Sequence, residues 1–330
     1  MMRKHSKKSE QATISTFSLR PLARLIRQAS IPAGLMLIAG AALAGPQGGQ
    51  VVGGQGNIAT PNANTTVINQ QSHNLAIDWS SFNIGKHELV QFNQPGRNAS
   101  ALNRILDQNP SQIFGSLRAN GNVILVNPNG VFFGPTATVH VGSITASGLD
   151  IKTDDFMVGK YNFQSQVDAE GGLVFNQGII EAATGGSVNL IGGGVKNEGL
   201  ILATAGQVNL VAGKKVTMDF DGDGLIQFAV DAEILQNVHD LDDAVSNTGE
   251  INAGGGSVLL KGRAARDVFS NVVNNEGVIN AGRIDNSGGS IRLIASGDRN
   301  SLINTGTLDA SGHGGDGGTI KIYADDIVRV

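Results

Sequence analysis

An acidic run near the middle of the chain is the first candidate for chemistry. Asp219, Asp221 and Asp223 alternate with other residues in the sequence Asp-Phe-Asp-Gly-Asp-Gly, which is similar to the start of an EF-hand calcium loop. Such a loop needs a bidentate Glu at its twelfth position, where this chain has Val230. An acidic β-turn is therefore the preferred interpretation, and a weak Ca²⁺ site at the three aspartates is the minor alternative.

Residues that could perform catalysis are scattered along the sequence. The chain has no Cys, which excludes a thiolate nucleophile, a thiolate metal site and a disulfide framework. Acid–base catalysis needs clustered carboxylates, but the pairs Asp154-Asp155 and Asp242-Asp243 fall in predicted loops. No metal-ligand spacing connects the histidines beyond the N-terminal segment, which are His73, His87, His140, His239 and His313. We predict no metal, no cofactor and no enzymatic activity.

The most specific motif is a turn between two apolar runs, Val123–Val126 and Val131–Phe133. A proline at the second position of a turn presets φ, and the Asn-Gly pair that follows completes the bend. A related Asn-Pro segment lies upstream, and by itself each segment predicts only a tight turn. The two motifs comprise Asn127, Pro128, Asn129 and Gly130, and upstream Asn109, Pro110, Ser111 and Gln112.

The composition favours strands as the elements that position these residues. The 330 residues include 46 Gly, a poor residue for helix interiors. Charged residues are 16% of the chain, against roughly 25% in ordinary soluble domains. Residues 45–330 hold 17 basic and 27 acidic side chains, so they offer no basic face for nucleic acid, which we exclude as a partner.

The first 44 residues predict a secretory signal peptide. Seven Lys and Arg residues precede or flank an apolar stretch, Ile31–Leu43, which is followed by the small residue Ala44. The apolar run of about 13 residues is too short to span a bilayer as a helix. We expect export by the Sec translocon and cleavage between Ala44 and Gly45. A membrane anchor or a buried N-terminal helix is the alternative.

The sequence from about residue 171 onward consists of two alternating repeat units. Each unit is five to seven residues long, alternates apolar and polar residues and is bounded by Gly, as expected for short strands. The first unit, Asn-x-Gly-x-Ile-x-Ala with Leu for Ile in the last copy, begins at Asn176, Asn197, Asn247, Asn275 and Asn304. The second begins at Gly186, Gly206, Gly256, Gly289 and Gly318. The 50-residue step between Asn197 and Asn247 would hold two coils, or one coil plus an insertion.

Stacking of such repeats predicts an all-β solenoid, a right-handed, single-stranded parallel β-helix of the pectin-lyase type. A repeat with two short strands cannot bury its apolar face alone, whereas stacked repeats bury a continuous core. The repeat asparagines are expected at equivalent corners, in the left-handed backbone region that Asn tolerates. A β-sandwich of antiparallel hairpins is the alternative. The side chains expected to stack inside are Val188, Leu190, Val208, Leu210, Val258, Leu260, Ile291 and Leu293.

Residues 45–170 also contain β-rich runs between Gly, Pro and Asn clusters. The exception is Ser100–Leu106, for which we expect a marginal short helix. No Pro-rich or Ser-rich linker separates the two halves of the chain. The predicted strands are Thr65–Asn69, Leu75–Trp79, Glu88–Phe92, Val123–Val126 and Thr138–Val141.

Several motifs in order carry a family resemblance. Together with the turn at Asn127–Gly130 they resemble the N-terminal secretion (TPS) domain of two-partner secretion (type Vb) exoproteins, of the filamentous haemagglutinin and high-molecular-weight adhesin type, over about Gln50–Val167. Asn93-Gln-Pro-Gly96 stands where the family has a second motif, Asn-Pro-Asn-Leu, and indicates the adhesin-like branch. The other segments are Asp78–Gly85, Val90–Asn93, Asn109–Gly115 and Gly142–Ser147.

The resemblance implies a β-helix with a capped N-terminal end. It further implies passage through the periplasm of a Gram-negative bacterium. There the POTRA domains of an outer-membrane β-barrel transporter would recognise the domain, with the two Asn-Pro motifs as part of the secretion signal. The product would be secreted or held at the cell surface as an adhesin-like shaft, whose target would be a receptor or glycan on a host or neighbouring cell.

These observations divide the chain into a signal peptide (1–44), a secretion domain (45–170) and continuing β-helix repeats (171–330). The alternative function is a β-helical carbohydrate-active enzyme, either a polysaccharide lyase or a hydrolase. Solenoids need polar caps, and the last run, Ile320–Val330, carries none. We therefore expect the N-terminal part of a longer exoprotein or a truncated product.

Overall fold

The chain winds as a right-handed parallel β-helix. The computed structural model describes residues 45–220, 226–282, 289–312 and 316–330, and these residues form three long sheets along the helix. Each coil passes through the first, second and third sheet in that order, and equivalent strands of successive coils pair in parallel. This pairing confirms the predicted solenoid and excludes the sandwich of antiparallel hairpins.

The strand bounds of the three long sheets follow the order of pairing. The first sheet contains β1 (Gln50–Gly53), β4 (Asn74–Trp79), β6 (Ser100–Ile105), β9 (Asn122–Val126), β12 (Ser143–Ser147), β17 (Ser187–Gly192), β20 (Gln207–Ala212), β25 (Ser257–Arg263), β28 (Ser290–Ser296) and β31 (Thr319–Ala324). The second contains β7 (Ser111–Ile113), β10 (Val131–Phe133), β15 (Leu173–Asn176), β18 (Gly194–Asn197), β23 (Asp243–Asn247), β26 (Asn271–Asn275), β29 (Ser301–Asn304) and β32 (Ile327–Arg329). The third contains β2 (Gly56–Asn62), β3 (Thr65–Gln70), β5 (Leu89–Asn93), β8 (Ser116–Ala119), β11 (Thr138–Val141), β16 (Ile179–Ala182), β19 (Leu200–Leu202), β24 (Glu250–Asn252), β27 (Val278–Asn280) and β30 (Thr307–Asp309).

Two antiparallel strands cap the N-terminal end of the solenoid. β1 pairs antiparallel with β4, and β2 pairs antiparallel with β3. The edges of β4 and β3 are thereby covered, and the antiparallel strands β1 and β2 are the terminal strands of these two sheets. The capped end implied by the family resemblance is confirmed.

The interior of the solenoid is filled by aliphatic ladders. The two predicted ladders align in register, and all eight side chains are fully buried in one continuous core. The alternation of buried and outward residues along each strand gives every coil the same inward positions. The predicted inward set is therefore confirmed.

The repeat asparagines form a second, polar ladder inside the corners between the second and third sheets. Asn176 donates from Nδ2 to Asn197 Oδ1 at 2.8 Å, Asn197 to Asn247 at 2.8 Å, and the series continues through Asn275 to Asn304 at 2.7 Å per step. The equivalent corners were correctly predicted, but the left-handed backbone was wrong, because none of these residues has positive φ. Asn is favoured there because its amide can accept from one coil and donate to the next.

Two excursions leave the solenoid at the same corner and form a fourth sheet among the described residues. The first excursion follows β12 and the second follows β20, and they meet where β14 (Tyr161–Gln164) pairs antiparallel with β21 (Lys215–Phe220). Their elements are β13 (Asp150–Ile151), α1 (Thr153–Met157), β14 (Tyr161–Gln164), β21 (Lys215–Phe220) and β22 (Ile226–Ala232). Since β20 pairs directly with β25, the 50-residue step is one coil plus an insertion.

This appended sheet covers part of the outer face of the first sheet with a second apolar core. Leu102, Ile124 and Ile191 point outward from the solenoid and pack with Phe163 and Val216 of the appended sheet. The outer edge of β22 is also covered, because Lys261 Nζ donates to Phe228 O at 2.9 Å and Arg263 Nη1 to Val230 O at 3.3 Å. These two side chains come from β25 and occupy β22 carbonyls that could otherwise pair with another strand.

The expected helix at Ser100–Leu106 is wrong. Residues Ser100–Ile105 form β6, which pairs in parallel with β4 on one side and β9 on the other. Two neighbouring strands satisfy its backbone groups, and Ala101 and Leu102 are buried on opposite faces. Tertiary pairing therefore overrides the local preference of a seven-residue segment.

Candidate functional site

The motif Asn127–Gly130 forms the corner between β9 and β10. Asn127 Oδ1 accepts from the backbone N–H of Asn129 at 3.0 Å, and Gly130 N donates to Asn127 O at 2.8 Å. Gly130 has φ +113°, and a Cβ there would lie 2.7 Å from Leu173 O of the next coil. The predicted tight turn therefore has a specific requirement for glycine at its last position.

The structure brings the second motif against the first. Asn127 Nδ2 donates to Asn109 O at 3.0 Å and to Ser111 Oγ at 3.1 Å, and Ser111 lies opposite Val131 in the pairing of β7 with β10. Ser111 N donates to Gly130 O at 3.0 Å. The two motifs are thus one structural unit, which we call the Asn-Pro corner (residues 107–112 and 127–130).

Residues of the Asn-Pro corner differ sharply in exposure. Asn127 is fully buried and Ser111 is 1% exposed, whereas Asn109 and Asn129 are exposed and both prolines are half-buried. Asn129 donates from Nδ2 to Asp107 O at 2.8 Å, at the surface. A receptor can reach the Asn129 amide in the folded protein, but it can reach the Asn127 amide only before the corner folds.

Two supporting residues were missed by the sequence analysis. Asp107 accepts from Asn109 through both backbone N–H (3.2 Å) and Nδ2 (2.9 Å), which fixes the loop before Pro110. Asn83 Oδ1 accepts from Gln112 N at 2.8 Å and holds the other end of the segment. The signal available in the sequence was Asp107 two residues before Asn109, the spacing of an Asx-turn.

The segment Asn93-Gln-Pro-Gly96 forms a different corner, built around a buried glutamine. Gln94 donates to Gln70 Oε1 at 3.1 Å and to Ala99 O at 3.0 Å, and accepts from Gly121 N at 2.9 Å. Three coils are joined through this one amide. Gln94 was not singled out from the sequence, although its 24-residue distance from Gln70 matches one coil.

The structure brings no further candidate site together among its described residues. Asp219 lies on β21, whereas Asp221 and Asp223 lie outside the described residues, as do Ala44 of the expected cleavage site and His313. Within the described ranges, no three His, Asp or Glu side chains are close enough to hold a metal ion. His140 pairs with Glu181 at 3.2 Å on the outer face of the third sheet, where both side chains are about half exposed. Across these same ranges no helix has both the length and the apolar character to cross a membrane.

Comparisons with known proteins agree with this architecture. The HMW1 secretion domain from Haemophilus influenzae, a solved structure, is 26% identical with a TM-score of 0.60, over 87% of this chain and 98% of that one. A heme/hemopexin-binding protein of H. influenzae strain Rd is 36% identical over 225 residues, and a second H. influenzae protein of that name is 32% identical over 271 residues. These matches cover 66% and 76% of this chain but 24% and 28% of the relatives, so the chain spans about a quarter of their length.

The family comparison covers most of the described solenoid. The model for the TPS secretion domain matches residues 42–310, which include the N-terminal cap, the Asn-Pro corner and all five asparagines of the ladder. The chain therefore belongs to the family of TPS secretion domains, the export modules of two-partner secretion exoproteins.

Proposed function

We propose that the unfolded chain is recognised in the periplasm by the POTRA domains of its outer-membrane transporter, and that the Asn-Pro corner is part of what they read. TPS exoproteins as a group are exported through an outer-membrane transporter and are secreted or surface-exposed in Gram-negative bacteria. The burial of Asn127 and Ser111 carries the proposal, because these side chains are accessible only before folding.

The architecture supports a division between recognition and folding. Before it folds, the corner presents Asn127 and its neighbours as an accessible stretch of chain. Once outside the cell, the first coils would template the next, because each coil pairs mainly with its neighbours. The absence of Cys leaves nothing for periplasmic oxidation to lock before export.

The test compares export and binding. The full chain is expressed with its transporter, without it, and with a transporter that lacks its POTRA domains, and the medium is probed for the chain. We expect secretion only with the complete transporter, and we expect purified POTRA domains to bind the urea-unfolded chain but not the refolded one. Export by the transporter without POTRA domains, or equal binding of folded chain, would contradict the proposal.

We further propose that the processed chain begins at Gly45 after Sec-dependent export, and that the exported solenoid serves as an adhesin-like shaft. Continuous side-chain ladders along the helix support a stiff rod. Adherence of cells that express the full exoprotein, compared with cells that lack the gene, tests the shaft, and equal adherence would contradict it. No catalytic role is proposed, and release of reducing sugar from polysaccharides would overturn that view.

A further inference from the structure

A cleft of about 720 Å³ with both polar and apolar lining residues lies beside the second core, where the appended sheet overhangs the first sheet only in part. Its floor is the outward face of β6, β9, β12 and β17, and Tyr161 of β14 and Met218 of β21 form one wall. The volume falls within the roughly 300–1,000 Å³ of small-ligand sites. The Asn-Pro corner does not line this cleft, whereas part of the family segment Gly142–Ser147 and the repeat unit that begins at Gly186 do.

Hydroxyl and amide side chains held in fixed positions make up much of the floor of the cleft, beside the aliphatic Ile124. Asn122 Nδ2 donates to Ser100 Oγ at 3.2 Å, and Asn189 Nδ2 donates to Ser187 Oγ and Thr145 Oγ1, both at 3.1 Å. Asn189 is 2% exposed and Ser187 is 7% exposed. Elsewhere under the appended sheet the equivalent outward positions are mainly aliphatic, so the polar floor is local to the cleft.

A positively charged side chain, Arg97, lies at the rim of the cleft. Arg97 Nη2 reaches across the corners of two intervening coils and donates to Thr184 O at 3.3 Å, its one hydrogen bond among the described residues. The remaining guanidinium donors are available for a planar anion such as a carboxylate. Among the described lining residues there is no Asp or Glu, and His73 is the other titratable nitrogen base.

Tyr161 adds an aromatic wall with a neutral phenol. Burial raises the pKa of Tyr161 above its usual value, and a hydrogen bond with Ser100 opposes the shift only in part. Its ring packs edge-on against Phe156 at 6.2 Å, which fixes its orientation. An aromatic face with a polar tip suits a ligand that has both apolar ring faces and hydroxyl groups.

We propose that this cleft binds an acidic saccharide, with sugar hydroxyls on the Ser and Asn floor and the carboxylate on Arg97. Hydroxyl and amide side chains both donate and accept, as sugar hydroxyls do. A metal ion would need carboxylates, which the described lining lacks, and a wholly apolar ligand would displace water from the floor hydroxyls and amides without replacing its hydrogen bonds. The site is separate from the Asn-Pro corner and does not depend on recognition by the transporter.

The experiment is a calorimetric titration of the secreted chain with a trisaccharide of galacturonate, a sialylated trisaccharide and a neutral trisaccharide of galactose. We expect saturable binding of at least one acidic trisaccharide and at least roughly tenfold weaker binding of the neutral one, because the Arg97–carboxylate pair is lost. Arg97→Gln should weaken acidic binding by a similar factor. Arg118→Gln is the matched control, since Arg118 is exposed on β8, outside the cleft.

A second variant tests the floor. Asn122→Leu should weaken binding of all the saccharides that bind, and the unfolding midpoint of each variant verifies that it is folded. An acidic trisaccharide that binds equally well to Arg97→Gln and to Arg118→Gln would overturn the proposal. So would the absence of saturable binding of either acidic trisaccharide to the wild-type chain at about 10 mM, a weak limit for a specific site.

Discussion

The two asparagines of the Asn-Pro corner should behave differently when each is replaced by Ala. Asn127→Ala removes hydrogen bonds to Asn109 O, Ser111 Oγ and Asn129 N, of 3.0 to 3.1 Å, from a fully buried side chain. Each of these hydrogen bonds is worth about 1 kcal/mol. Water can replace the bonds at the exposed residues Asn109 and Asn129, but it cannot replace the bond at Ser111 Oγ. We expect a loss of about 2–3 kcal/mol of unfolding free energy.

Asn129→Ala removes mainly the surface bond to Asp107 O at 2.8 Å. Water can take that place, so the expected loss is about 0.5 kcal/mol. From the sequence alone, removal of either amide would be expected to cost the same unfolding free energy, about 1 kcal/mol. The expected losses differ because Asn127 is buried and Asn129 is exposed. Stabilities of about 5–15 kcal/mol leave both variants folded.

The assay measures urea unfolding and secretion on the same variants, with Asn280→Ala as the matched control. Asn280 accepts a turn bond from Gly282 N at 2.8 Å but lies outside the Asn-Pro corner. If the transporter reads the corner, both corner variants should be secreted poorly, although Asn129→Ala unfolds at nearly the wild-type urea concentration. Normal secretion of Asn129→Ala would refute recognition through its amide, and an unchanged midpoint for Asn127→Ala would refute the energetic reasoning.

Four further predictions concern the solenoid and its processing. Leu210→Asp places a carboxylate in the aliphatic ladder and should cost at least about 3 kcal/mol in urea unfolding; an unchanged midpoint would mean that the side chain is not buried. Asn247→Ala breaks two rungs of the ladder and should cost about 2–3 kcal/mol, against about 1 kcal/mol for Asn304→Ala at the end rung, and equal losses would contradict a continuous ladder. Burial raises the pKa of Asp243 above 3.8, although hydrogen bonds from Asn side chains oppose the shift. The contribution of Asp243 to stability is therefore present below pH 3.8 and is lost as the pH rises through the pKa of the folded state. Asp243→Asn should flatten this part of the pH–stability profile, and an unchanged profile would contradict the prediction. N-terminal sequencing of the secreted chain should begin at Gly45, and an intact Met1 would contradict the expected cleavage.

The sequence alone predicted the repeating part of the molecule well. The two Gly-bounded units recur often enough that only stacking can bury their apolar faces, so the β-helix, the inward positions at Leu210 and its equivalents, and the corner positions of the asparagines all follow from periodicity. The family resemblance likewise rested on several short motifs in a fixed order, and the match of the TPS secretion domain to residues 42–310 confirms it.

Other features depended on contacts between distant coils. The helix expected at Ser100–Leu106 is a strand because β4 and β9 pair with it, and its own seven residues contain no information about those neighbours. The role of the repeat asparagines was also misassigned, since the bond from Asn197 to Asn247 crosses 50 residues and appears only when the coils stack. The burial of Asn127 and the meeting of the two Asn-Pro motifs were equally invisible, because side-chain exposure at a corner is decided by the coil above it. The same holds for the cleft beside the second core, whose floor and rim come from separate coils and whose wall comes from the excursions that form the appended sheet.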